Sequence, residues 1–297
     1  MAPQKAATAR ERARAELTRE IKEEARRQLA ATGAHGLSLR AVAKELGMVS
    51  SALYRYYPSR DDLLTALIID AYNALGEAAE GAIAGAGPAV PARERWLAAC
   101  HAIRDWARSN LHQYALIYGS PVPGYRAPEA TIGPAARVPL AFAGVLEDAG
   151  AAGEITPFAG ALPVTGALAK QAAALSAALA ISRAPTPDEA SPEQEAPEQS
   201  SPGQTSPGPA APDQTWRGQA SPGGAAPGPA APGPASLDQV AVAGVPPDAL
   251  VRAVIAWTQL YGMISFELFG QFVGSFEPAD ALFAHASEQL AAFVGLR

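Results

Sequence analysis

Leu17, Ile21, Ala25 and Leu29 recur at every fourth position in a stretch otherwise filled with Glu and Arg, and this spacing predicts one amphipathic helix over residues 10–32. Glu16/Arg19, Glu23/Arg26 and Glu23/Arg27 are placed to pair across its turns, and Gly33 and Gly36 end it. A short second helix, LRAVAKEL, follows Ser38 as its N-cap, with Leu39, Val42, Ala43 and Leu46 on one face. Gly47 closes that helix, and in the stretch LGMVSSALYRYYPSRDDLL the part before Pro58 carries two serines and three tyrosines where a core helix would carry aliphatics. The pattern puts Val42, Leu46, Val49, Leu53 and Tyr57 inward, with Ser50, Ser51, Tyr54 and Arg55 outward and Tyr56 at the C-terminal edge.

After Pro58, Ser59 caps a new helix with Asp61 and Asp62 in its first turn, running to about residue 84. GAGPAVP interrupts the chain at 85–91. A helix of mixed aromatic and polar character follows over 92–118, then a loop (SPVPGYRAPEA), a helix over 129–150, and another in LPVTGALAKQAAALSAALAIS. PDALVRAVIAWTQLYGMISFELFG, from 247, is apolar nearly all round, which predicts a helix buried on more than one side. A last helix spans about 278–294. The fold class expected is all-α.

Composition changes one part of this picture. Between 184 and 236 lie 13 of the 27 prolines, in repeated SPG and APGPA units, with Trp216 as the one large apolar residue. Such a segment buries too little surface to offset its ordering entropy and reads as a disordered insertion. The domain organisation expected is residues 1–60 as a helix-turn-helix unit continuing into a linking helix to about 84, 85–183 with 237–297 as a second helical domain, and 184–236 as the insertion between its halves.

Charge changes another. The chain carries a net −6, but residues 1–60 balance at +6 and the remainder at −12. A basic patch at one end is what attraction to nucleic-acid phosphate requires, whatever the total. Two short helices joined at Gly47 make a helix-turn-helix whose second helix presents hydroxyls and aromatic rings, groups that bond phosphates and base edges and touch thymine methyls. The same shape also occurs as a plain packing corner.

Candidate chemistry elsewhere is sparse. One cysteine, Cys100, excludes an intramolecular disulfide and reads as a small buried apolar residue; four scattered histidines make no zinc-ligand spacing. No catalytic constellation is visible, so neither an enzyme, a cofactor nor a metal is expected. No segment offers the ~18 uninterrupted apolar residues of a membrane span, and no leader precedes the first helix, so a cytoplasmic location with no membrane partner is expected. Trp96, Ile103, Trp106, Tyr114 and Tyr118 are candidates to line a pocket for an apolar or aromatic effector. Trp257, Tyr261, Gly262, Ile264 and Leu268 are candidates for a dimer face, where Gly262 would permit close backbone approach.

The run GLSLRAVAKELGMVSSALYRYYPSRDDLL resembles the N-terminal DNA-binding domain of the tetracycline-repressor (TetR) family over about residues 10–75. WARSNLHQYALIYGSPVPGY and WTQLYGMISFELFG resemble the ligand-binding and dimerisation domain of a subgroup named for a Trp-His-Gly motif, with Tyr261 standing where that name has histidine. The resemblance implies DNA contacts at Ser38, Arg40, Ser50, Ser51, Tyr54, Tyr56 and Arg60. It implies a homodimer on a palindromic double-stranded DNA operator, acting as a repressor released by a small-molecule effector. Gly47-Met48-Val49 departs from the family's usual small polar residue after the turn, which moves the expected cap of the recognition helix to Ser50. The alternatives are a small-molecule-binding or enzymatic helical domain retaining the shape without DNA, and an adaptor acting through the proline-rich insertion.

Overall fold

The computed structural model describes residues 8–160, 162–183 and 245–297, and among them the chain forms ten α-helices, with one isolated bridge between Ile155 and Leu296. The predicted insertion at 184–236 lies outside the described residues.

Helix α1 (Ala9–Thr32) starts at a reciprocal cap. The Thr8 hydroxyl accepts from the Glu11 N–H at 3.2 Å while the Thr8 N–H donates to the Glu11 carboxylate at 2.7 Å. Ile21, Ala25 and Leu29 are buried as the spacing requires. Of the expected ion pairs, Glu16/Arg19 forms, but Glu23 pairs with Arg19 and not with Arg26 or Arg27. Arg26 instead reaches Asp70 at 2.6 Å, a carboxylate it shares with Lys22, and Arg27 pairs with Glu24. A partner on a packed neighbouring helix thus takes Arg26 away from its own helix.

Helices α2 (Leu39–Glu45), α3 (Ser50–Leu53) and the start of α4 (Arg60–Ala86) close a small core around Leu37, Val42, Ala43, Leu53, Leu63, Leu64 and Leu67. Ser38 and Ser59 are the N-caps of α2 and α4, accepting from Ala41 and Asp62 respectively. At about 1.5 Å per residue α4 is roughly 40 Å long. Leu63 to Ile68 serve the first core; Leu75 and Ala79 serve the second.

The second core is built by the rest of α4 with α5 (Ala92–Ser109), α6 (Leu111–Tyr118), α7 (Ile132–Ala151), α9 (Pro247–Leu268) and α10 (Asp280–Val294), while α8 (Gly166–Arg183) lies against α7 and α9. The single helix expected over 92–118 is broken at Asn110 (φ −130°, ψ 44°). Its side-chain amide donates to the Trp106 carbonyl at 2.9 Å, taking the acceptor that the Asn110 N–H would use in a continuous helix. The break turns α6 towards α1 and α4, so this short helix bridges the two cores.

By length and composition α9 is apolar enough to cross a membrane, but its charged residues are paired within the domain. Arg252 bonds Asp248 and the Phe293 carbonyl, and Glu267 is held by Arg104. It is also less enclosed than its composition suggests: Val254, Ile255, Phe266 and Phe269 are exposed.

Candidate nucleic-acid interface

Gly47 sits at φ 64°, with nothing within 4 Å of where a Cβ would be, so backbone conformation and not crowding selects glycine there. The turn is tied by the Met48 N–H donating to the Ala43 carbonyl at 2.8 Å. This shifts the inward register by one residue from expectation. Met48 packs against the core and Val49, expected inside, is 71 % exposed. Leu46 is half-buried, while Val42, Leu53 and Tyr57 are inside as expected.

The expected cap at Ser50 is a second correction. Val49 occupies the N-cap position of α3 without a side-chain bond, and Ser50 is the first helical residue. A segment that spends Gly47 and Met48 on the turn reaches extended geometry one residue earlier than the cap chemistry would choose. Helix α3 is a single turn, continued by 54–56 as turns, and is pinned by the fully buried Leu53. Its outward groups are Ser51, Tyr54 (42 % exposed) and Arg55, with Ser50 half-buried.

Arg40 and Lys44 on α2 are exposed, and the Arg40 guanidinium has no acidic partner among the described residues. Ser38 is half-buried, its hydroxyl accepting from Ala41 at 3.4 Å. Tyr56 is half-buried, with the Arg14 guanidinium carbon 5.7 Å from its ring centroid. Arg60 differs from the rest. It donates to the Leu37 carbonyl at 3.1 Å and the Ala34 carbonyl at 2.6 Å, fastening the loop before α2 onto α4. Of the seven nominated DNA-contact residues, the structure thus leaves Arg40, Ser51 and Tyr54 outward and draws Arg60 inward.

The second core rearranges both other nominations. Ile103 and Tyr114 are fully buried, and Trp106 and Tyr118 pack against the same core. Tyr114 donates to the Tyr261 carbonyl at 3.1 Å and bonds Ser265 at 2.9 Å; burial raises its phenol to about 12. Only Trp96 of the five reaches a cavity of about 360 Å³ walled by Phe142, Pro139, Leu146, Leu175, Leu250, Val254 and Trp257. Trp257, nominated for the dimer face, therefore belongs to this cavity. Tyr261 and Ile264 are also removed from that face: both are buried in their own domain, Tyr261 with its ring 4.4 Å from that of Tyr118. Leu268 is half-buried and Gly262 remains exposed. Ile255, Phe266 and the C-cap residue Phe269, which the spacing did not single out, form with Gly262 one exposed stripe along α9 at spacings of seven, four and three. The burial of Cys100 pushes its thiol up, so it stays protonated at neutral pH.

A three-helix bundle with an outward polar turn-helix, joined by a long shared helix to a helical domain with a half-open apolar pocket, defines a helix-turn-helix protein of regulator architecture. Residues 21–67 match the family described as bacterial regulatory proteins, tetR family, and residues 96–290 match the one described as tetracyclin repressor-like, C-terminal domain. The chain belongs to the tetR family of bacterial regulatory proteins. It is 46 % identical over 148 residues to the HTH-type transcriptional regulators Mb1846 of Mycobacterium bovis and Rv1816 of Mycobacterium tuberculosis. That match covers 48 % of this chain and 61 % of either relative, so the chain spans about three fifths of their length. Among solved structures, the regulatory protein SCO4313 is similar with a TM-score of 0.57 and 30 % identity, over 96 % of this chain and all of that one.

Proposed function

We propose that this chain is a DNA-binding transcriptional regulator of non-enzymatic type, working in the cytoplasm as a homodimer that represses from a palindromic operator and is released by a small molecule. The observation that carries the reading is the outward face of the turn-helix. Arg40, Ser51, Tyr54 and Arg55 stand exposed on a bundle whose core residues are all on the other side. A cation without an acidic partner and a row of hydroxyls suit the phosphates and groove edges of a duplex. Arg60 then acts by positioning the loop that carries Ser38.

The α9 stripe of Ile255, Gly262, Phe266 and Phe269 is the proposed dimer face, since contiguous exposed aromatics on a helix with an open glycine suit a second copy of the same helix. The cavity between α5, α7, α8 and α9 is the proposed effector site. Its named walls are aromatic and aliphatic with no charged side chain, which favours an uncharged apolar ligand. Occupying it would push α5 against α6 and α4, and through them alter the separation of the two recognition helices, on which half-site spacing depends.

The test is binding of purified protein to the DNA flanking its own gene at two salt concentrations, beside Arg40→Ala/Tyr54→Ala. Expected is saturable binding that weakens with salt and falls by at least about tenfold in the variant, as for loss of contacts worth about 1–3 kcal/mol each. Equal binding by both proteins would show that DNA does not meet this face.

A further inference from the structure

Helix α1 is longer than its core requires. Ile21 is its first fully buried residue and Leu17 packs half-buried, but Thr8 to Glu16 are exposed throughout, about two turns overhanging the bundle. Followed outward, the inward stripe runs Ile21, Leu17, Arg14, Arg10 at spacings of four, three and four. Where the apolar core ends, the same face changes from aliphatic to arginine.

Two further observations give this overhang a direction and a cost. The Arg14 guanidinium lies over the ring of Tyr56, at the edge of the recognition segment, so the arginine face looks to the side that presents α3. Arg10, one turn further out, continues that line by about 6 Å. Arginines in the first turns of a helix also oppose the positive end of its dipole and disfavour the helix slightly. Neither guanidinium has a hydrogen bond or ion pair among the described residues to offset this, whereas Arg19, Lys22, Arg26 and Arg27 on the same helix are all paired with carboxylates.

We infer that Arg10 and Arg14 form a phosphate clamp, binding the sugar-phosphate backbone of the duplex beside the bases that face α3. This rests on the DNA-binding reading and adds to it a contact surface outside the helix-turn-helix. Guanidinium groups suit phosphate oxygens through paired N–H donors, and the Tyr56 ring beneath Arg14 restricts its orientation before DNA arrives. The clamp carries affinity and register but no sequence preference.

The experiment compares full-length wild type with Arg10→Ala/Arg14→Ala on the own-gene duplex across a salt series, fitting log K against log salt concentration. Both residues are exposed, and thermal unfolding checks that the variant is folded. Two contacts per subunit in a dimer, at about 0.9 each, make the variant's slope shallower by about 3.6, with the preference for this duplex over a scrambled one unchanged at fixed salt. A slope within about 1 of wild type overturns the clamp alone, and a lost sequence preference overturns its assignment to phosphate. If wild type itself does not bind saturably, the DNA-binding reading falls and the clamp with it.

Discussion

The bundle around Leu53 and the domain around Trp96 handle charge in opposite ways. On the outward face of the turn-helix Arg40 and Arg55 face solvent, although Arg60 beside them is drawn onto the Ala34 and Leu37 carbonyls. In the larger domain Arg104 is nearly enclosed: it makes two bonds of 2.7 Å to Glu267 and one of 2.9 Å to Asp280, and lies 4.7 Å over the Phe283 ring. The turn-helix face keeps Arg40 and Arg55 unpaired, and the larger domain commits Arg104 to joining α5 to α9 and α10. Surface charge in the first is what the proposed DNA contact would use, whereas buried charge in the second fixes which helices meet.

Breaking Arg104 gives the largest expected effect. Arg104→Ala leaves the mostly buried Glu267 carboxylate with only the Arg108 guanidinium at 3.9 Å, at a cost of about 3 kcal/mol, and lowers the midpoint of thermal unfolding by on the order of 10 °C. Arg40→Ala, the matching change in the bundle, leaves that midpoint within about 1 °C. Equal effects would remove the distinction. The pH dependence follows the same network. The Arg104 guanidinium holds the Asp280 carboxyl below its ordinary 3.8. A carboxyl with a depressed folded value contributes stability that is present above its unfolded value and is lost as pH falls through the folded one. This contribution therefore disappears only below about pH 4, and Asp280→Asn removes it from acid-unfolding curves.

A smaller effect is expected at the α9 stripe. Phe266→Glu places a charge on a ring now 53 % exposed, so a monomer would barely register it. If the stripe joins two copies, the change weakens association by about 2 kcal/mol or more, roughly 30-fold, and sedimentation shows monomer at concentrations where wild type is dimeric. Unchanged mass would send the dimer face elsewhere. The smallest expected effect returns to the bundle: Ser59→Ala removes the acceptor for the Asp62 N–H at 3.1 Å and costs about 1 kcal/mol in chemical denaturation. No loss there would mean the start of α4 is held by packing alone.

The same contrast explains what was legible in the sequence. In the bundle the signals are local: Ser38 and Ser59 as caps, Gly47 at the turn, and the four-residue stripe of α1 each act within a few positions. What failed there was register, because the Met48 bond to Ala43 fixes which of two adjacent apolar residues turns inward, and hydropathy does not separate Met48 from Val49. In the larger domain the deciding contacts are distant. Arg104 and Glu267 are 163 residues apart, and the cavity takes walls from four helices, so aromatic spacing along α5 and α6 selected core residues such as Ile103 and Tyr114 as pocket candidates. The break at Asn110 had a local signal, an asparagine after serine in the middle of a helical pattern, which the aromatic periodicity on both sides masked.

In the proposed complex the outward face of α2 and α3 meets a duplex while a second copy meets the next turn. Hydroxyl-radical footprinting of the full-length protein on the DNA flanking its own gene tests it most directly. Two protected patches related by a two-fold axis are expected, their centres one helical turn of about 10 base pairs or a multiple of it apart, both lost in Arg40→Ala/Tyr54→Ala. Uniform cleavage under a folded, dimeric protein, or protection that survives in that variant, would contradict it.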